Sequence, residues 1–220
     1  MAARDNILGR IRNALGRAQA PASRGDEAGG AAMRARLAGH PRGPMPSMDW
    51  EPVARFAERC LVLSSSVARV RDRSQVAAAV AQYLAQNDLP RSGVCWPELG
   101  GLDWSAAGLQ IELRPAGGDD KVGITGCYCA IAETGTLMLL SGPDMHLTTS
   151  LLPDTHIALV PTSRILRSME DAWDLLRREP GALPRQVAFV SGPSRTADIE
   201  MTLVLGIHGP YRVHVILVDE

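Results

Sequence analysis

The densest run of reactive side chains lies in two short polar stretches, each placed directly after an apolar run. The first is Glu133-Thr134-Gly135-Thr136, inside AIAETGTLML. A Thr-Gly-Thr turn presents backbone N–H groups and two hydroxyls, which suit a carboxylate or phosphate, and Glu133 has the chemistry of a base or nucleophile. A Gly-centred turn with Glu133 capping or paired is the alternative. The second stretch is FVSGPSRTADIE, residues 189–200. Ser191, Gly192, Ser194, Arg195 and Thr196 offer hydroxyls, N–H groups and one guanidinium to an anion. Asp198 and Glu200 follow two residues apart. In an extended chain they share a face, as acid–base carboxylates or metal ligands would; in a helix they diverge. An ordinary polar loop with a cap at Thr196 or Asp198 accounts for the same residues.

Histidine and cysteine add less. His208, set between Ile207 and Gly209, stands where a turn after an apolar run can aim an imidazole into a crevice, although a lone His there is more often structural. His146 and His156 form no metal motif, and no metal is expected. His214 alternates with Val213 and Val215 and reads as an outward-facing strand position. Cys127 and Cys129 are separated by one residue, unlike the spacing of zinc or iron–sulfur ligands, and Cys60 and Cys95 stand alone. No dinucleotide fingerprint, phosphate loop or nucleophile elbow occurs, so no cofactor is expected.

These residues need a scaffold. CLVLS (60–64) reads as a strand and SQVAAAVAQYLAQND (74–88) as a helix ending before Pro90. SGVCW (92–96), LQIEL (109–113), segments of 122–142, HIALVP (156–161) and QVAFVSG (186–192) read as strands, with a helix over 169–179. Residues 201–209 fit either helix or strand, strand being favoured by their β-branched and Gly content, and VHVILV is a strand. Short buried runs separated by helices predict an α/β domain, a layered sheet covered on both faces. Ahead of it, Ile7, Leu8, Ile11 and Leu15 line one face of a helix over 1–16. That helix packs on its own domain or a sister subunit, or docks another protein. Residues 17–47, rich in Ala, Gly, Pro, Ser and Arg, read as a flexible linker with at most one helical turn near Met33–Leu37, leaving 48–220 as the folded domain.

The chain of 220 residues carries 23 basic and 24 acidic residues, a formal net charge of −1, which recruits neither nucleic acid nor an anionic membrane. All but Lys121 of the basic residues are Arg. No export signal and no apolar run of membrane-spanning length is legible, so a cytoplasmic location with reduced thiols is expected.

Taken in order, AIAETGTLML, LLPDTHIALVP, FVSGPSRTADIE and GIHGP resemble the LutC (lactate utilization protein C) family, also called the LUD domain, from about Val122 to Asp219. The N-terminal RDNILGRIRNALGR resembles the start of that family as well. By position the family's AETGT motif falls on Ala132–Thr136, its SGPS-x-TADIE motif on Ser191–Glu200 and its HGP on His208–Pro210. The resemblance implies a fold like that of the NagB, RpiA and CoA-transferase superfamily. It also implies a part in oxidising L-lactate to pyruvate beside iron–sulfur and LUD-containing partner proteins, a non-redox one since the chain lacks cluster ligands; the chemistry of the two polar stretches adds the expectation of a small anionic ligand bound where they meet. A stand-alone acyl-CoA transferase or sugar-phosphate isomerase using Glu133 is the competing expectation. A homo-oligomer is compatible with either.

Overall fold

The computed structural model describes residues 2–16, 27–179, 183–196 and 204–219. The chain divides into two compact units, Met1–Pro46 and Ser47–Glu220. The first holds α1 (Ala2–Ala14) and α2 (Glu27–Gly39). Where the sequence suggested one helical turn, α2 runs over thirteen residues. Its alanines, the best helix formers, outweigh the Gly29-Gly30 pair.

The second unit begins with α3 (Pro52–Val62), which is capped by Glu51; that carboxylate accepts the N–H groups of Val53 and Ala54 at 3.0 and 2.7 Å. Residues 60–64, expected as a strand, instead close this helix. A cap followed by proline fixes its start, and Val53, Phe56, Ala57 and Cys60 recur at helical spacing against the core, carrying the helix through the apolar run. Ser64 then turns the chain in the left-handed region at φ 67°. The strand comes later, as β1 (Ser66–Val70).

After it come α4 (Val76–Gln86), β2 (Ser92–Cys95), β3 (Gln110–Leu113), β4 (Val122–Thr125), β5 (Cys129–Ile131), β6 (Thr136–Leu140) and β7 (Thr155–Pro161). β8 (Ile165–Leu166), α5 (Met169–Arg178), β9 (Val187–Val190), β10 (Arg195–Thr196), β11 (Val204–Leu205) and β12 (Arg212–Val218) complete the order. Of the ambiguous segment, residues 204–205 are strand and 206–209 form a bend, neither helix nor strand; 201–203 lie outside the described residues.

Six strands form one parallel sheet in the order β1-β12-β7-β4-β2-β3. Period-two alternation sorts its side chains. Ile124, Ile157, Leu159, Ile216 and Val218 pack under α4, while Ala158, Val160, Val213, Val215 and Leu217 face α3 and a second, four-stranded sheet ordered β8-β5-β6-β9. The outer face of that second sheet, Cys129, Ile131 and Met138, is covered by α5. This is the expected layered α/β architecture. α5 starts at a capping box in which Ser168 and Asp171 satisfy each other's backbone N–H groups. Among the described residues no helix is long and apolar enough to cross a membrane.

Candidate functional site

The two polar stretches, 55 residues apart, become neighbours through strand register. β6 pairs antiparallel with β9, Leu137 opposite Val190, so the next pair outward is Thr136 and Ser191. Thr136 Oγ1 lies 2.7 Å from Ser191 Oγ and 2.7 Å from Thr134 Oγ1, a row of three hydroxyls. Both stretches rest on the end of α3. Gly135, at φ 68°, approaches so closely that a Cβ would stand 2.7 Å from Arg59 Cβ. Gly192, at φ 78°, would place its Cβ 2.6 Å from Leu63 O. Neither position admits a side chain without strain.

The remaining residues of the second stretch extend this seam. Arg195 donates from Nη2 to Leu63 O at 2.9 Å and to Ser64 Oγ at 2.8 Å, so its guanidinium holds the last turn of α3. Thr196 is buried. The Ser194 N–H donates to Pro210 O at 2.9 Å, bringing His208-Gly209-Pro210 alongside, with Ser194 Cβ 3.3 Å from where a Gly209 Cβ would stand. His208 itself is on an exposed bend. Glu133 donates its N–H to Arg167 O at 3.0 Å, and its half-exposed carboxylate has no hydrogen-bond or ion-pair partner among the described residues. Asp198 and Glu200 lie outside the described residues.

Because α3 leads into β1, and Pro210 precedes β12, the seam sits at the amino ends of β1 and β12. A cavity of about 360 Å³ opens there, with Ser64, Ser66, Tyr83, Asn87 and Arg212 in its wall. Pro193 and Leu205, from the second stretch and its partner strand, close one side. Among the described lining residues Arg212 is the one cation and none is a carboxylate.

Beneath the cavity Ser66 Oγ lies 2.8 Å from His214 Nδ1. His214 is not the outward-facing residue its alternation suggested. It is 4% exposed and stacks on Tyr83 with ring centroids 3.8 Å apart, because β12 is a central strand covered on both faces. Burial pushes its imidazole down to about 4, against an upward pull from a hydrogen bond to the Ser66 backbone, so the ring is neutral near neutral pH. Its Nε2 has no partner among the described residues. The Tyr83 phenol is raised above its ordinary value by burial, with the Ser66 hydroxyl opposing. No signal in the sequence marked Ser66, Tyr83 or Arg212. Parallel pairing of Ser66 with His214 joins positions 148 residues apart, and only strand order supplies it.

The opposite end of the sheet is also concave. Beyond the carboxyl ends of β2, β4, β7 and β12, two adjoining cavities of about 230 and 180 Å³ share Glu98 and Cys127, one reaching Arg73 and the other Arg164. Burial raises the Glu98 carboxyl above its ordinary value and Arg73 opposes it. Gly126 makes room for that carboxylate, since a Cβ there would stand 2.1 Å from Glu98 Oε1. Cys127 is not poised as a nucleophile, because burial drives its thiol strongly upward. Among the described residues no group of three or more His, Cys, Asp or Glu side chains converges as a metal site would require.

The LUD domain family model matches residues 98–218. The lactate utilization protein C of Bacillus subtilis (strain 168) is 38% identical over 130 residues, covering 57% of this chain and 54% of that protein. The protein of the same name from Exiguobacterium sp. is 36% identical over 143 residues, covering 64% of this chain and 62% of its own. The chain thus spans little more than half the length of the curated relatives it matches. The crystal structure of a DUF162 family protein from Deinococcus radiodurans superposes with a TM-score of 0.56 at 25% identity, covering 80% of this chain and 99% of that one. The family match takes in more than half of the chain, including every strand from β3 to β12, and on that ground the chain belongs to the LUD domain family.

Proposed function

We propose that the chain serves L-lactate utilization as a non-redox subunit, working beside iron–sulfur and LUD-containing proteins that carry the electrons from lactate to pyruvate. The observation that carries this reading is the 36–38% identity to proteins named lactate utilization protein C. Within that reading the ligand is a small carboxylate, held in the cavity at the amino ends of β1 and β12. Arg212 lines that cavity together with hydroxyl-bearing residues and with no carboxylate in the described wall, a donor set suited to a hydroxy- or keto-acid. The hydroxyl row Thr134-Thr136-Ser191 and the Arg195 bridge fix the loops that frame it. Deleting the gene in its host and growing cells on L-lactate as sole carbon source tests the assignment. Growth should fail and return with the wild-type gene; unchanged growth in a strain without a second copy would overturn it.

A second reading has one observation in its favour, the Glu133 carboxylate, which has no partner among the described residues. In it the chain is an enzyme by itself, an acyl-CoA transferase or sugar-phosphate isomerase. A glutamyl thioester trapped on Glu133 during incubation with acyl-CoAs would support transfer. Its absence across a broad acyl panel would count against it.

A further inference from the structure

We propose that Ser66 and His214 form a nucleophile and general-base pair for acyl transfer, acting on an ester or thioester whose acyl part carries a carboxylate. This rests on the reading of the serine-lined cavity as a ligand site and adds a reaction to it.

The parts are in place atom by atom. Ser66 is the first residue of β1, is exposed, and lines the cavity of about 360 Å³. Its Oγ lies 2.8 Å from His214 Nδ1, within the reach that a base needs to take the hydroxyl proton. The base is held still, since parallel pairing sets Ser66 opposite His214 and the Tyr83 ring stacks on the imidazole at an interplanar angle of 10°. In the tautomer with its proton on Nε2, the neutral ring accepts the Ser66 hydroxyl at Nδ1. Arg212 and Tyr83 share the wall, a cation for the substrate carboxylate and a hydroxyl donor for the carbonyl oxygen as it gains charge.

The step balances without a cofactor. Ser66 Oγ bonds to the acyl carbon while its proton passes to His214 Nδ1. The tetrahedral centre collapses, the bond to the alcohol or thiol breaks, and the leaving group takes the proton from His214. Water, deprotonated by the same imidazole, then releases the acid and regenerates the hydroxyl.

The test uses the full chain and diisopropyl fluorophosphate. Here the P–F bond breaks, an Oγ–P bond forms, and fluoride departs as the hydroxyl proton moves to His214. We expect one adduct per chain, mapped by mass spectrometry to the peptide holding Ser66, absent in Ser66→Ala, and formed about 100-fold more slowly in His214→Asn. Tyr83→Phe keeps the stacked ring, supplies a second variant should His214→Asn not fold, and should slow labelling about tenfold. No adduct on Ser66, or labelling at the wild-type rate in both folded variants, would overturn the proposal. Labelling needs neither lactate nor partner proteins, so a blank reaction removes the nucleophile while the lactate assignment still stands or falls on growth.

Discussion

Replacing Thr136 by Val keeps the outline of a side chain that is 3% exposed and deletes the hydroxyl standing 2.7 Å from both Thr134 Oγ1 and Ser191 Oγ. A net hydrogen bond contributes roughly 0.5–1.5 kcal/mol. Ser191 is exposed and Thr134 half-buried, so each recovers part of its loss from water, and the expected cost is about 1–2 kcal/mol. For a folded unit of this size that is roughly 2–8 °C in Tm. Ser191→Ala alone should cost about 0.5 kcal/mol, because its replacement bonding partner is solvent. The informative quantity is the coupling. In a double-mutant cycle read by urea unfolding, Thr136→Val and Ser191→Ala should fall short of additivity by about 0.5–1 kcal/mol, since either change alone already breaks their shared bond. Additive effects within about 0.3 kcal/mol would show that the two stretches do not touch, and the seam would have to be abandoned.

Other consequences are as direct. Gly192→Ala adds left-handed strain to a contact 2.6 Å from Leu63 O, and unfolding should become easier by about 2–4 kcal/mol, whereas an unchanged midpoint would contradict the packing of that loop on α3. His156 and His214 are both pushed down to about 4 by burial. Their folded values lie below the unfolded one, so the unfolded chain binds more protons, stability holds above about pH 6.5, and it drops as pH falls toward 4. Each contributes up to about 3 kcal/mol across that window. His156→Gln should flatten this acid limb in urea titrations at several pH values, and a limb of unaltered slope would contradict it. Glu51→Ala removes the cap of α3 and should cost about 1 kcal/mol in the same assay, with no effect counting against the helix boundary.

Much of the fold was legible because its strands and helices carry period. VGIT, HIALVP and VHVILV are uninterrupted apolar runs of the kind a doubly covered parallel sheet requires, and α5 announces itself through Ser168, Asp171 and its polar face. CLVLS misled because a buried helix end and a buried strand look alike over five residues. The signal that decides it lies upstream, in Glu51-Pro52 and the spacing of Phe56 and Cys60. The candidate site was legible only in its framing loops, where glycines and hydroxyls cluster in sequence. Ser66, Tyr83, Arg212 and His214 come from three separate elements, and nothing local distinguishes Ser66 from its neighbours Ser64 and Ser65. His214 looked outward because alternation tells which residues share a face, not whether that face is covered.

The proposed small-carboxylate site lies at the amino ends of β1 and β12. Isothermal titration of pyruvate and of L-lactate into the wild-type chain, Arg212→Met and Arg73→Met tests it at both ends of the sheet. Saturable binding is expected, weakened about tenfold or more in Arg212→Met and unaltered in Arg73→Met. Binding that survives Arg212→Met and is lost with Arg73→Met would place the ligand at the carboxyl ends beside Glu98 and rule out the site at the amino ends.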